Sequence, residues 1–258
     1  MEDGGVELGP EPALGRVFSA RRLVRFGDPS PGGRLRLDAV ARYLQDVSGD
    51  DTADAGFGDV APWVVRRQTI EVWASARFRE ELTLRTWCSG TGSRWAERRV
   101  GVTGADGARL EAVAPRVHVD PGTGRPRPLG DEFFACYGEA ARERRVRARL
   151  RHDPTVPADA AIRPWSLRFT DFDPLRHVNN AACLSMVEEE LAGRRDLRPP
   201  FRVEVEYRVG IVPGTEVDVA VTTGDGPLAL WVVDRADGTV FATAAVSPVG
   251  EDGPARGR

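Results

Sequence analysis

Apolar residues recur at two different periods along this chain, and the two periods follow one another in the same order twice. From Leu37 to about Asp50, residues Leu37, Val40, Ala41, Leu44 and Val47 fall three and four apart. That spacing places them on one stripe of a helix. From about Asn179 to Ala192, residues Cys183, Leu184, Val187 and Leu191 repeat the pattern and predict a second helix. A short alternating run leads into Arg25-Phe26-Gly27-Asp28 before the first helix and into Arg168-Phe169-Thr170-Asp171 before the second. After each helix the period drops to two. The alternation predicts strands over 64–74, 80–90, 93–104 and 108–119 in the first half, and over 201–209, 215–223, 227–235 and 239–248 in the second. The last two strands of each half meet at Asp-Gly, at Asp106-Gly107 and Asp237-Gly238. Both residue types tolerate positive φ, so the pair is a strong hairpin signal.

Each half therefore reads as strand, loop, long helix and antiparallel meander. A helix of that length can bury its apolar stripe against a curved sheet. The predicted class is α+β, a double hotdog: two fused repeats over 16–130 and 161–249, each with a long helix packed on an antiparallel sheet. Hotdogs pair to extend one sheet, and fusion makes that pair intramolecular. A helical linker over 131–160 joins the halves, its helix running from Asp131 to Leu150. The ends, 1–15 and 250–258, read as disordered tails.

Composition narrows the function classes. Of 258 residues, 41% are hydrophobic and 29% charged, which is ordinary for a globular protein. The formal charge is -3, and every one of the 36 basic residues is Arg. Such a balance gives no global field toward nucleic acid. No stretch reaches the ~18 apolar residues of a membrane span. Cys88, Cys136 and Cys183 are an odd, sparse set without CxxC spacing, which argues against a disulfide framework or a structural zinc site and fits the cytoplasm. No metal or cofactor is expected, and the chain is expected to be a monomer or homodimer.

The chemistry concentrates in Phe169-Thr-Asp171-Phe-Asp173-Pro-Leu-Arg-His177-Val-Asn179-Asn180, where strand gives way to helix. Asp173-Pro174 favours a turn and Asn179 or Asn180 caps the helix. The unpaired N–H groups of that helix N-terminus, around Val178, Asn179 and Asn180, could hold the oxyanion formed when a thioester carbonyl is attacked. Asp173 is then nucleophile or base, His177 is general acid or base, and Asn179 completes the set. Asp before a helix is more often a simple cap. The repeat weighs against that here, because Ser30 stands opposite Asp173 and the first half has no counterpart of His-Val-Asn-Asn. One active site per chain is expected.

In this order the motifs resemble the bacterial acyl-acyl carrier protein thioesterases, relatives of the plant FatA/FatB enzymes. The resemblance rests on Leu35 to Asp46, Leu82 to Trp87, Trp95 to Arg98, Asp171 to Asn180 and Val205 to Arg208, and it spans about 16–248. It implies a double hotdog that hydrolyses acyl-acyl carrier protein to free fatty acid and holo-carrier. The partner is an acidic carrier protein presenting the acyl group on its phosphopantetheine arm. The family's Asp-x-Asn-x-His is matched by Asp173 and His177, with Leu175 in place of the Asn. Its Glu-Cys pair falls on Gly210 and Ile211. Glu189 matches a Glu common in the family and is the candidate replacement base. Val40, Leu44 and Val47 are the expected acyl-pocket wall. Cys183, on the apolar stripe, reads as a buried inert thiol. The Arg-rich run from Arg142 to Arg151 reads as a solvated helix face with Glu139 and Glu143 as i,i+4 partners, and otherwise as a carrier-docking patch. Hotdog thioesterases acting on acyl-CoA or polyketide-type substrates, and a non-hydrolytic acyl-binding hotdog, are the alternatives.

Overall fold

A computed structural model describes residues 8, 10–57, 63–120, 122–142, 144–224 and 226–249. Its framework is one antiparallel sheet. The strands are β1 (Val17–Leu23), β2 (Trp63–Val65), β3 (Arg67–Ala74), β4 (Glu81–Thr91), β5 (Trp95–Gly104), β6 (Arg109–His118), β7 (Ala161–Trp165), β8 (Phe201–Tyr207), β9 (Val217–Val221), β10 (Leu228–Asp234) and β11 (Val240–Pro248). Their order is β1-β4-β5-β6-β3-β8-β11-β10-β9-β7, with β2 pairing β6 off this path. The second five strands mirror the first five. The fold is therefore a double hotdog, with the halves joined where β3 pairs β8 from Arg67↔Glu206 to Val72↔Phe201.

Two helices lie across the inner face of the sheet, α1 (Leu37–Asp54) and α3 (Asn180–Gly193). Val40, Leu44 and Val47 of α1 and Leu184, Met186 and Val187 of α3 enter one core with the inward residues of both half-sheets. That core is why the halves form one body. The N-terminus of α1 has no side-chain cap of its own. Glu188 of α3 supplies it, accepting the Leu37 N–H at 3.1 Å while pairing with Arg34.

The helix α1 runs one turn past the expected end at Asp50. Asp51 is fully buried, where it accepts Arg16 Nε at 2.7 Å and the Tyr137 hydroxyl at 3.0 Å and also pairs with Arg98. Those partners come from the helix Asp131–Ala141, β5 and the segment before β1, and they hold the extra turn. The strand expected over 64–74 is broken at Arg66, whose carbonyl accepts the Tyr207 N–H from the second half at 3.0 Å.

The linker departs from expectation. Its helix, α2 (Asp131–Ala141), stops well short of Leu150 at Arg142, which is left-handed at φ 48°. The arginines that follow do not form a helix face. Packing so many like charges on successive turns costs free energy, and the extended chain finds better partners on the outer sheet face. Arg145 bridges Thr91, Val146 accepts from Trp95 Nε1 at 2.7 Å, and Arg144 pairs with Glu97. Glu143 lies outside the described residues. The strap is anchored at the seam between the halves. There Glu206, fully buried, accepts the backbone N–H groups of Arg151 and His152, and His152 Nε2 lies 3.3 Å from Glu204. Of the expected tails, 1–7, 9 and 250–258 lie outside the described residues, while Glu11 is placed and pairs with Arg85 at 2.6 Å.

Candidate active site

A loop from Asp171 to Asn179 feeds the N-terminus of α3 and forms one wall of a cleft. The loop is tied at both ends. Asn179 N–H donates to the Asp171 carbonyl at 2.8 Å, Asp173 N–H to the His177 carbonyl at 2.9 Å, and Val178 N–H to the Ile211 carbonyl at 2.9 Å. Arg176 takes the left-handed turn at φ 62°. Asp173 Oδ1 accepts the Leu175 N–H at 2.9 Å and the His177 N–H at 3.4 Å. Its Oδ2 has no partner among the described residues. One carboxylate oxygen is thus fixed by the loop and the other is not.

His177 is exposed, and its imidazole lies against Gly210. A Cβ at Gly210 would stand 2.7 Å from its Cδ2 and 3.2 Å from its Nε2. Here the absence of a side chain is what seats the ring. Asn179 caps α3, its Oδ1 accepting the Ala181 N–H at 2.8 Å and the Gln45 side chain of α1 at 3.1 Å. Of the three expected oxyanion donors, Val178 and Asn179 therefore spend their N–H groups on Ile211 and Asp171. Asn180, at the first helical position, keeps the N–H that has no acceptor in the turn before it. Tyr207 holds Asn180 from behind, donating to its carbonyl at 3.2 Å.

The cleft has a volume of about 530 Å³ and runs between this loop, the C-terminal half of α1, β2 and the chain after β8. Leu175, Val64 and Val209, all exposed, rim it with apolar surface. Asp173, His177, Val178 and Asn180 line it. Val40, Leu44 and Val47 do not. They point into the common core, and α1 instead shows the cleft Gln45, Ser48, Gly49 and Thr52. Glu189 is exposed and outside the lining, and its neighbour Glu188 is the capping residue of α1. Cys183 touches the cleft from a buried position, and burial pushes its thiol up to about 12, so it is no nucleophile near neutral pH. Sequence reasoning missed Gln45, Ser48 and Arg116. Gln45 and Ser48 sit at the edge of the apolar stripe. Arg116 had a signal, because it interrupts the inward series Leu110, Ala112, Ala114 on β6. His152, Glu204 and Glu206 bring three potential metal-ligand atoms within 4.8 Å of one another. Each already bonds to protein donors or acceptors at the seam.

Two hotdogs on one sheet, with Asp173 beside the helix N-terminus in one half where Ser30 stands in the other, define a double hotdog protein. Residues 15–137 match the family model described as "Acyl-ACP thioesterase N-terminal domain", and 156–245 match "Acyl-ACP thioesterase C-terminal domain". The chain belongs to the acyl-ACP thioesterase family and is a thioester hydrolase. It is similar to the uncharacterized protein MT2057 of Mycobacterium tuberculosis (strain CDC 1551 / Oshkosh), 32% identical over 219 residues that cover 84% of this chain and 87% of that one. Its fold is similar to an acyl-ACP thioesterase from Bacteroides thetaiotaomicron, with TM-score 0.71 and 18% identity over 90% of this chain and 97% of that one. It is also similar to the 12:0-ACP thioesterase from Umbellularia californica, with TM-score 0.72 and 20% identity over 90% and 96%. No helix among the described residues is long and apolar enough to cross a membrane.

Proposed function

We propose that the cleft beside α3 is where this chain hydrolyses an acyl thioester carried by acyl carrier protein, with Asp173 as the reacting carboxylate. The supporting observation is the pairing of a half-buried carboxylate that has one free oxygen with an unspent N–H at a helix N-terminus, on the wall of one cleft. Asp173 Oδ2 takes a proton from water as the water oxygen bonds to the thioester carbon. The carbonyl oxygen becomes an oxyanion held by the Asn180 N–H and the positive end of the α3 dipole. The C–S bond then breaks, and the thiolate takes a proton from His177 or from solvent at the open mouth. Asn179 is a positioning residue, fixing the first turn of α3 and the loop before it.

In this reading the second half, 161–249, supplies the reacting loop. The first half, 16–130, supplies the far wall of the acyl pocket through Gln45, Ser48, Gly49 and Thr52. The apolar rim suits the pantetheine arm of a carrier protein, and three free cysteines suit a reducing cytoplasm. The test is incubation with acyl-loaded carrier protein and a thiol-trapping reagent. Stoichiometric release of free thiol and free acid is expected. Retention of the intact acyl carrier on the protein, with no thiol released, would convert the reading to an acyl-binding one.

A further inference from the structure

The wall of this cleft contributed by β6 carries a charge that a plain fatty acyl chain cannot use. Leu110, Ala112, Ala114 and Arg116 alternate onto the inner face of the sheet, and the first two lie in the main core. Arg98 of β5 reaches the same interior, beneath α1. The carboxylate facing them is Asp51, and it is already taken by Arg98 and by Arg16, which also holds the exposed Asp54. Arg116 has no carboxylate within ion-pair distance among the described residues. It donates to Ser48 Oγ at 3.0 Å, and its Nε is buried without a hydrogen-bond partner. Burial and the neighbouring Arg98 guanidinium push the Arg116 pKa down, to about 9, even against the pull of Asp51. A guanidinium stays charged near neutral pH all the same. A charge drawn out of water is costly unless it is paired, and this one, half-buried on the cleft wall with its Nε fully covered, has no carboxylate partner among the described residues.

We infer that Arg116, braced by Ser48, is a specificity residue that receives a carboxylate on the acyl group, so that the preferred substrate is a carboxyl-bearing acyl thioester rather than a plain alkyl one. The inference rests on the thioesterase reading of the same cleft. The geometry sets where the carboxylate falls. Gln45 touches Asn179 at the reacting loop, and Ser48 lies three residues further along α1 on the same face. An acyl chain leaving Asp173 along α1 therefore meets Arg116 about one helical turn, ~5 Å, from the loop. Apolar Val178, Ile211 and Phe241 line the cleft nearer the loop and suit the methylenes between.

The experiment compares matched acyl groups on one carrier protein, hexanoyl with 5-carboxypentanoyl and octanoyl with 7-carboxyheptanoyl, using the full chain and Arg116→Met. The unmodified protein should favour the carboxyl-bearing member of at least one pair by tenfold or more in kcat/KM. Arg116→Met should cut hydrolysis of that member by tenfold or more and leave its alkyl partner within about twofold. Removing a half-buried charge that has no ion-pair partner among the described residues should not lower Tm. If Arg116→Met fails to fold, Arg116→Gln, which keeps a donor for Ser48, takes its place. A hydrolysis-free arm titrates adipate, suberate, hexanoate, octanoate and inorganic phosphate into both proteins by calorimetry. Dicarboxylate binding that depends on Arg116, with no thioester cleaved, would sink the thioesterase reading and leave Arg116 as a carboxylate-binding residue of the cleft. Efficient hydrolysis with an alkyl preference, equal losses on both members, or phosphate displacing the dicarboxylates would overturn it.

Discussion

The two helix-feeding loops of this chain share one backbone and differ in almost every side chain that could react. In the first half, Ser30 N–H donates to the Arg34 carbonyl at 2.7 Å, as Asp173 does to His177. Leu35 N–H meets the Ala76 carbonyl at 2.8 Å, as Val178 meets Ile211, and Arg36 N–H meets Asp28 at 3.1 Å, as Asn179 meets Asp171. Gly33 takes the left-handed turn at φ 81°, as Arg176 does. The aspartates of the two Arg-Phe-x-Asp motifs are therefore scaffold, since each accepts a backbone N–H three residues earlier in its own loop. Ser30 replaces the carboxylate, and Arg34 replaces the imidazole and is pinned by Glu188. Even the helix-to-helix contacts are paired, with Gln45 reaching the start of α3 and Glu188 reaching the start of α1. One loop closes on an ion pair, and the other leaves a carboxylate oxygen facing a cleft. A shared backbone is thus no sign of a shared function, and the difference can be tested side by side.

The largest contrast should come from Asp173→Asn against Ser30→Asn. The first should lower turnover by ~10²-fold or more, on the scale of losing a positioned acid–base group, with Tm unchanged because Asn can still accept the Leu175 N–H. The second should leave turnover alone. Steady-state rates decide it, and an active Asp173→Asn enzyme would remove the carboxylate from the mechanism.

Next come the paired helix contacts. Glu188→Ala leaves Arg34 half-buried and the Leu37 N–H without its acceptor, and should cost about 2 kcal/mol in urea unfolding. Gln45→Ala, at the equivalent position on α1, loses one neutral hydrogen bond and should cost about 1 kcal/mol. If Gln45→Ala were the more damaging to stability, the loops would not divide into a structural and a reacting one.

The seam that joins the halves should respond to acid. Burial alone would raise the Glu204 pKa, but His152, Arg67 and Thr69 outweigh it and hold it down to about 2, from 4.5. Its stabilising contribution is therefore complete above pH ~4.5 and is lost as pH falls toward 2, amounting to on the order of 2 kcal/mol. Glu204→Gln should flatten the fall in stability across that window, as read by chemical unfolding at each pH. A fall of unchanged steepness would place the acid sensitivity elsewhere.

The last contrast tests the seat of His177. Gly210→Ala puts a Cβ against the ring and should lower turnover about tenfold by moving it, a loss of ~1.4 kcal/mol in transition-state stabilisation. Ser75, which precedes Ala76 as Gly210 precedes Ile211, should tolerate Ser75→Gly without change in rate. A Gly210→Ala enzyme of full activity would show that the imidazole position is immaterial.

Sequence by itself determined the repeat, both long helices, the meanders with their Asp-Gly hairpins, and the loop that carries Asp173 and His177. Each of these is written in local periodicity or turn chemistry, which the chain expresses over a few neighbouring residues. It also gave the asymmetry of the two loops, because Ser30 and Asp173 could be aligned without a structure. What the tertiary structure decided depends on partners distant in the chain. The stripe Val40, Leu44 and Val47 had to be buried, but whether by a core or by a ligand was set by α3 packing beside it. The Arg-rich linker reads as helix locally and lies extended because Thr91, Trp95 and Glu97 of the sheet offer it contacts that no helix could reach. Of three successive glutamates, Glu188 caps the opposite helix while Glu189 faces outward, a choice made by the rotation of α3 against α1. Arg116 broke an apolar alternation that was visible from the start. That its charge lies unpaired on the wall of a cleft could be known only once α1, Asp51 and Arg98 were brought around it, since pairing is a property of positions in space and not of order along the chain.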